Sequence, residues 1–240
     1  MGKVIMSGIV PQLTEPIHGI AASTLAVGST VKLMESGSAV EYLVVNQGIP
    51  SNSSLYDASC DGTWLLRKDC HSKRVWNSNN LSEYADSTIN TWLNGDFFNS
   101  FGNAEQVAIK RVKIPYCVGG GSSTENSGAN GLSAKVFLLS GYEVGWTSSN
   151  FPQDGAKLSY FESGIGTSAN NKRIAKLNGS AAYWWLRSPD TSSTNYACLV
   201  RSAGDCSSRH ASYSYGIRPA LVLPDNALFD KTTMLLKGVA

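Results

Sequence analysis

Charge is scarce in this sequence of 240 residues: Asp, Glu, Lys and Arg make up 16% of it, against roughly 25% in an average globular chain. The signs nearly cancel, with 20 basic and 18 acidic residues for a net charge of +2. That removes the bulk electrostatic case for nucleic acid, which needs a basic face. Histidine is limited to His18, His71 and His210. The five cysteines, Cys60, Cys70, Cys117, Cys198 and Cys206, contain no Cys-x-x-Cys pair. No metal site follows from such spacing, and no metal or cofactor is expected. No apolar run approaches the roughly 18 residues of a membrane-spanning helix, so membrane insertion is not expected either. The opening MGKVIMSGIVPQL has one lysine, no long apolar stretch and an early Pro11. The expectation is synthesis in a cytoplasm with no classical signal peptide, and release by lysis or assembly into a larger particle.

What is present argues for a folded domain. Hydrophobic residues are 42% and aromatics 10%, with 6 Trp, 10 Tyr and 7 Phe, which is ample for a core and excludes disorder. The surface must then be made polar by Ser, Asn, Thr, Gly and Tyr. Residues 1–27 are weakly patterned and read as an N-terminal arm or attachment segment. Residues 28–224 read as one domain, and 225–240 as a C-terminal extension.

Inside the domain, Thr30 to Met34 and Val40 to Val45 around Gly37 read as a hairpin. Trp64-Leu65-Leu66 reads as a strand. Ser87 reads as the N-cap of a helix whose Ile89, Trp92 and Leu93 form one apolar stripe, with Asn94-Gly95 as its end. Residues 104–109 and 155–161 read as short helices, Val112 to Ile114 as a strand ended by Pro115, and Val136 to Leu139 as a buried strand. The glycine-rich stretch 119–131 reads as a flexible loop and not a phosphate loop, since it lacks a Gly-Lys-Ser/Thr ending. Asn178-Gly179 reads as a turn.

In the last third, Tyr183 to Arg187 reads as a strand with Trp184 and Leu186 on one face and Tyr183, Trp185 and Arg187 on the other. Residues 197–200 form a second strand, Gly204-Asp205 a turn, and 206–209 the return. If Leu199 packs inward, Cys198 and Val200 face the other way, so one of the two sets is core. Residues 216–223 close the sheet, with Pro219 placing part of this strand at an edge or bulge. Cys198 and Cys206 either face each other across the hairpin or stay free thiols in a reducing compartment. Paired carboxylates, Ser/His/Asp or Cys/His sets and a Gly-x-Ser-x-Gly elbow do not stand out, so no enzyme activity is expected.

The motifs YWWLRSP (183–189) and GIRPALVLP (216–224), with TINTWLNGDFFNSF (88–101), AIKRVKIPY (108–116) and VFLLSGYEVGW (136–146), resemble a family. It is a domain of unknown function found in phage, prophage and gut-bacterial proteins. The resemblance covers residues 28–224. That family is similar to the C-type-lectin-like fold of formylglycine-generating enzymes and of the variable proteins of diversity-generating retroelements. The resemblance therefore implies an α+β, C-type-lectin-like fold of small antiparallel sheets, short helices and long loops.

Those retroelements mutate adenines, mostly in AAC-type codons, which cannot yield Lys, Glu, Gln, Met or Trp. Residues 190–215, DTSSTNYACLVRSAGDCSSRHASYSY, contain none of the five. Either a diversified surface or an ordinary fixed polar one fits, and both put a binding surface in this segment. Tyr196, Tyr213 and Tyr215 are candidate anchors, giving contact area at low entropic cost. Arg201, Asp205, Arg209 and His210 would set polarity, with Ser193, Asn195, Ser208 and Ser212 as further contacts. Arg187 and Arg218 lie within the frame motifs and are expected to brace the sheet or loop.

The resulting expectation is a non-enzymatic receptor-binding protein of a phage or prophage, a tail protein or adhesin found on a virion or cell surface. Its partner would be a host-surface protein or glycan, and a homo-oligomer (trimer) or virion assembly would add multivalency. The alternatives are an oxidase like formylglycine-generating enzymes, with Cys198 and Cys206 as the copper-binding pair, and a structural virion decoration protein. A calcium-dependent lectin lacks its usual Glu-Pro-Asn, Gln-Pro-Asp and Trp-Asn-Asp motifs here.

Overall fold

The computed structural model of the protein describes residues 18–51 and 53–240. Residues 1–17 of the expected attachment segment lie outside them. The fold is mixed, mostly small antiparallel sheets with a few short helices. Two five-stranded sheets dominate. Their strands are β1 (Thr30–Glu35), β2 (Ser38–Gln47), β3 (Thr63–Arg67), β4 (Lys73–Val75), β5 (Val136–Phe137), β6 (Trp184–Pro189), β7 (Tyr196–Val200), β8 (Cys206–His210), β9 (Ser214–Gly216) and β10 (Ala220–Leu223). The first sheet runs β5-β10-β3-β2-β1 and is antiparallel throughout. The second runs β8-β7-β6-β9-β4, with one parallel pair, β6 and β9.

The central strands are buried on both faces, which is why they read as near-continuous apolar runs. In β3, Leu65 packs in one core with Val44, Leu93 and Leu221, while Trp64 and Leu66 pack in another with Val45, Phe137 and Val222. In β6, Trp185 joins the first core and Trp184 and Leu186 the second, as strand alternation requires. The same holds for β7: Leu199 belongs to the first core, and Cys198 and Val200 to the second. A one-sided β7 is therefore corrected, because both faces are core.

Local signals hold where backbone chemistry is local. The Ser87 hydroxyl accepts from the Asn90 N–H at 3.2 Å and starts α1 (Thr88–Trp92). Short α2 (Asn103–Ala108) and the hairpin of β1 and β2 also form where the pattern puts them.

Four further readings need correction. Asn94-Gly95 does not end the helix, which continues as a π-helical turn, Leu93–Phe97. The reason is Asn94, whose amide donates to the Asn90 and Val136 carbonyls and accepts from the Lys135 N–H, docking the helix on β5. Residues 155–161 form no helix. Their N–H groups go to distant acceptors instead: Ala156 to the Tyr56 hydroxyl, Leu158 to Glu143 O and Tyr160 to Val45 O. Residues 119–131 are not a loose loop, since Tyr116–Gly119 pairs with Ser122–Asn126. Gly119, Gly120 and Gly121 have φ of 83°, 64° and 82°, and a Cβ on Gly119 would lie 1.8 Å from Ser82 O. These glycines make a tight turn against its neighbour. Finally, 216–223 is not one strand. It leaves the second sheet after Gly216 and enters the first at Ala220, where β10 is interior and not at an edge. Pro219 sits in the crossing and its carbonyl accepts the Arg67 N–H at 2.8 Å.

Residues 225–240 pack onto the domain. Ala227–Phe229 pairs with Leu236–Val239 and with Ile20–Ala21, and Phe229 and Leu236 enter the first core. No helix among the described residues is long and apolar enough to cross a membrane.

Candidate functional site

Residues 190–215 fold as a loop, the β7–β8 hairpin and a short turn into β9. The loop is built on Asp190, whose carboxylate accepts from Ser192 N at 3.0 Å, Ser192 Oγ at 2.6 Å and Ser208 Oγ at 2.7 Å. Ser193 Oγ donates to Asn195 Oδ1 at 2.9 Å, and the Ser193 carbonyl accepts from Ser82 Oγ. Ser193, Asn195 and Ser208 are thus half-buried and engaged within the fold. Ser212 is exposed, with its N–H on Asn80 Oδ1.

The hairpin register pairs Tyr196 with His210 at one end and Val200 with Cys206 at the other. Arg201 and Asp205 close the far end, Nε to Oδ2 at 3.1 Å. That end is roughly 13 Å from Tyr196, about four strand residues. At the near end the rings converge. The Tyr196 and His210 centroids lie 4.4 Å apart, His210 and Tyr213 5.3 Å, and Tyr213 and Tyr215 6.4 Å. Tyr215 continues onto Tyr183 at 5.4 Å, stacked, and onto Trp185 at 5.1 Å. Tyr213 is 48% exposed while Tyr196, His210 and Tyr215 are half-buried, so the row presents edges and faces to solvent. The structure thus gathers Tyr196, His210, Tyr213 and Tyr215, places Arg209 beside them, and leaves Arg201 and Asp205 apart.

The same sheet carries a buried polar brace on β6. Arg187 is fully buried, and its guanidinium meets Glu143 through Nη1 at 2.5 Å and Nη2 at 2.7 Å. The carbonyls of Pro115, Leu138 and Asp154 accept its remaining N–H groups. Burial works against this charge, but Glu143 outweighs it and holds the guanidinium above its ordinary pKa. Arg218, also buried, donates from Nε to Arg67 O at 2.9 Å and lies 5.1 Å over the Trp184 ring. Both arginines brace the frame, as expected.

Next to Arg187, the Asp154 carboxylate accepts from Ser188 Oγ at 2.8 Å. Burial pushes the Asp154 carboxyl up to about 7, against the pull of Arg187 and Ser188. A carboxyl raised in the folded state contributes stability that is full below its unfolded pKa near 4 and is lost as pH rises through about 7. Asp154→Asn keeps an acceptor for Ser188 and is expected to flatten the fall in urea midpoint between pH 4 and pH 8. An unchanged slope would count against a neutral buried carboxyl.

The five cysteines are free and buried. Burial pushes Cys198 well above its ordinary pKa and Cys206 up to about 12, so neither is a ready thiolate. Cys198 faces Ser208 in the ladder, not Cys206. Among the described residues, no three His, Cys, Asp or Glu side chains converge as metal ligands.

An open groove of about 990 Å³ runs beside the aromatic row. It takes Ser202, Arg209 and Tyr215 from the 190–215 segment, and Tyr183 from the residue just before β6. Its other walls are β4 with His71, and the hairpin of Ala175–Leu177 and Ser180–Ala182. Sequence patterning marked the Asn178-Gly179 turn of that hairpin but gave no reason to set it beside residues 190–215.

A family model for a domain of unknown function, DUF6273, matches residues 61–225. The chain belongs to this family. The match covers the whole second sheet and β3, β5 and β10 of the first, leaving β1 and β2 outside it, and includes the aromatic row, the arginine brace and the groove. No curated protein and no solved structure matches the chain.

Proposed function

We propose that this DUF6273 protein has a C-type-lectin-like fold and is a non-enzymatic ligand-binding protein. It would serve a phage or prophage as a tail protein or adhesin on a virion or cell surface. Its partner is a host-surface protein or glycan, bound through residues 190–215, with trimeric or virion assembly adding avidity. The observation that carries this reading is the row of rings from Tyr196 to Tyr215, part-exposed on a hairpin whose inner strand is buried from Ala197 to Val200. Rigid aromatic side chains on a fixed backbone bind at low entropic cost.

Burial also says where diversification by a retroelement would be tolerated. Residues 197–200 and Ala211 are fully buried, so variation belongs at 193, 195, 196, 201, 205, 207–210 and 212–215. A copper oxidase built on Cys198 and Cys206 is less well supported, because both thiols are buried and raised in pKa.

The test is binding of labelled full-length protein to a panel of gut-bacterial cells. Tyr213→Ala is expected to weaken binding roughly tenfold, the cost of truncating one aromatic anchor. Val107→Ala, an exposed apolar change on α2, should leave it unchanged. Equal effects of the two would remove the aromatic row as the contact surface.

A further inference from the structure

We infer that the groove beside the aromatic row is a binding site for an acidic saccharide, a sugar bearing a carboxylate. The inference rests on the reading of residues 190–215 as the ligand-binding surface, because Arg209 and Tyr215 belong to both.

The groove is preformed by hydrogen bonds on both sides. The Cys70 N–H donates to Lys176 O at 2.8 Å, and the Lys176 N–H donates to Asp69 Oδ1 at 2.8 Å, tying the 175–182 hairpin to the segment that leads into β4. Opposite, the Ile217 N–H donates to Ser72 O at 2.9 Å and the Gly216 N–H to Tyr183 O at 2.8 Å. Little ordering is left for a ligand to impose.

Its chemistry is specific in sign. Lys73 and Arg209 both line it, and no Asp or Glu is among its described lining residues. Lys73 is exposed and forms no salt bridge among the described residues. Among the described residues Arg209 donates only to neutral groups, Ser207 Oγ at 3.0 Å and Ser208 O at 2.7 Å. In a chain whose charges nearly cancel, two cations without carboxylate partners in one groove point to an anion supplied from outside.

The rest of the lining suits a sugar. Tyr183 and Tyr215 stack on each other and both line the groove, giving an aromatic wall against which the apolar face of a pyranose can pack. Ser72, Asn178, Ser180 and Ser202 offer neutral donors and acceptors for hydroxyl groups. His71 adds no positive charge at neutral pH, since burial, with Arg67 and Arg74 nearby, pulls it down to about 4. Small Ala181 and Ala182 add little bulk to the lining. The groove volume of about 990 Å³ lies at the upper end of the range for small-ligand sites and holds more than one sugar ring.

The experiment is calorimetric titration of the full chain with four probes: α2,3-sialyllactose, trigalacturonic acid, lactose and a tetraglutamate peptide. The first two carry the carboxylate on different sugars and so separate a sialic acid from a uronic acid source. The expected result is binding of at least one of them, weakened by 0.5 M NaCl and absent for lactose. Lys73→Gln and Arg209→Gln each weaken it about tenfold, the equivalent of one charge-assisted contact. Both sites are at least partly solvent-exposed, and a wild-type urea curve confirms that each variant folds. Equal binding of lactose, tighter binding of tetraglutamate, no saccharide binding, or binding unmoved by both substitutions would each overturn the inference. The cell assay separates the two levels. If Tyr213→Ala abolishes cell binding while the charge variants and all saccharides have no effect, the groove inference falls and the receptor-binding reading stands. If an acidic saccharide binds but no cell does, the reverse holds.

Discussion

Arg187→Met is expected to cost about 3–5 kcal/mol, the range for breaking one side of a fully buried ion pair. Glu143 would be left charged and buried, with the Tyr56 hydroxyl at 3.0 Å and the Ser140 N–H at 3.0 Å as its remaining donors. The Pro115, Leu138 and Asp154 carbonyls would each lose a donor as well. All five guanidinium N–H groups have acceptors in the folded protein, an arrangement lysine cannot copy. Arg187→Lys should therefore recover only part of the loss. Glu143→Gln in the Arg187→Met background removes the orphaned charge and keeps an acceptor for Tyr56 and Ser140. It should be more stable than Arg187→Met alone. Urea unfolding of these three variants, of Glu143→Gln alone and of the wild type measures this, and an additive double variant would sink the idea that the penalty is an unpaired buried charge.

The same pair shows where sequence reading stops. Arg187 is legible as a brace because it sits in a Trp-rich motif, but nothing in the sequence selects Glu143 as its partner. Ion pairs between distant segments follow no spacing rule. Elements decided by neighbouring residues were legible: the Ser87 cap, the β1–β2 hairpin and the alternation of Trp184 and Trp185. Elements decided by distant acceptors were not. Asn94 looks like a helix end until Val136 and Lys135 are beside it, and 155–161 looks helical until its N–H groups find Tyr56, Glu143 and Val45. The Gly119–Gly121 turn had a readable signal, paired glycines between two strand-like runs. Its need for glycine comes from Ser82 and was not visible. The site divides the same way. Tyr196, Tyr213 and Tyr215 stand out in one short segment, whereas Lys73 and Tyr183 reach the groove only through the β4-β9-β6 order.

Trp184→Ala is the second large effect, at about 3–5 kcal/mol. Trp184 lies on β6 between two neighbours, paired with Val200 on β7 and Gly216 on β9, and is fully buried. Truncation removes the ring from the second core, orphans the Arg173 carbonyl that accepts its Nε1–H at 2.9 Å, and uncovers the buried guanidinium of Arg218. Arg218 is already poorly served there: its Nη1 has no hydrogen-bond partner among the described residues, and burial pulls its pKa down to about 10. Trp184→Phe keeps an aromatic face over Arg218 and loses chiefly the Nε1–H bond, so its cost should be nearer 1–2 kcal/mol. Ser212→Thr, on the exposed turn before β9, should stay within about 0.5 kcal/mol. That contrast is the physical content of a frame that displays a surface. Strands buried on both faces fix the backbone so firmly that side chains on the hairpin rim can change without cost to the fold. If Ser212→Thr destabilised as much as Trp184→Ala, the segment would be structure and not display, and its aromatic row would need another explanation.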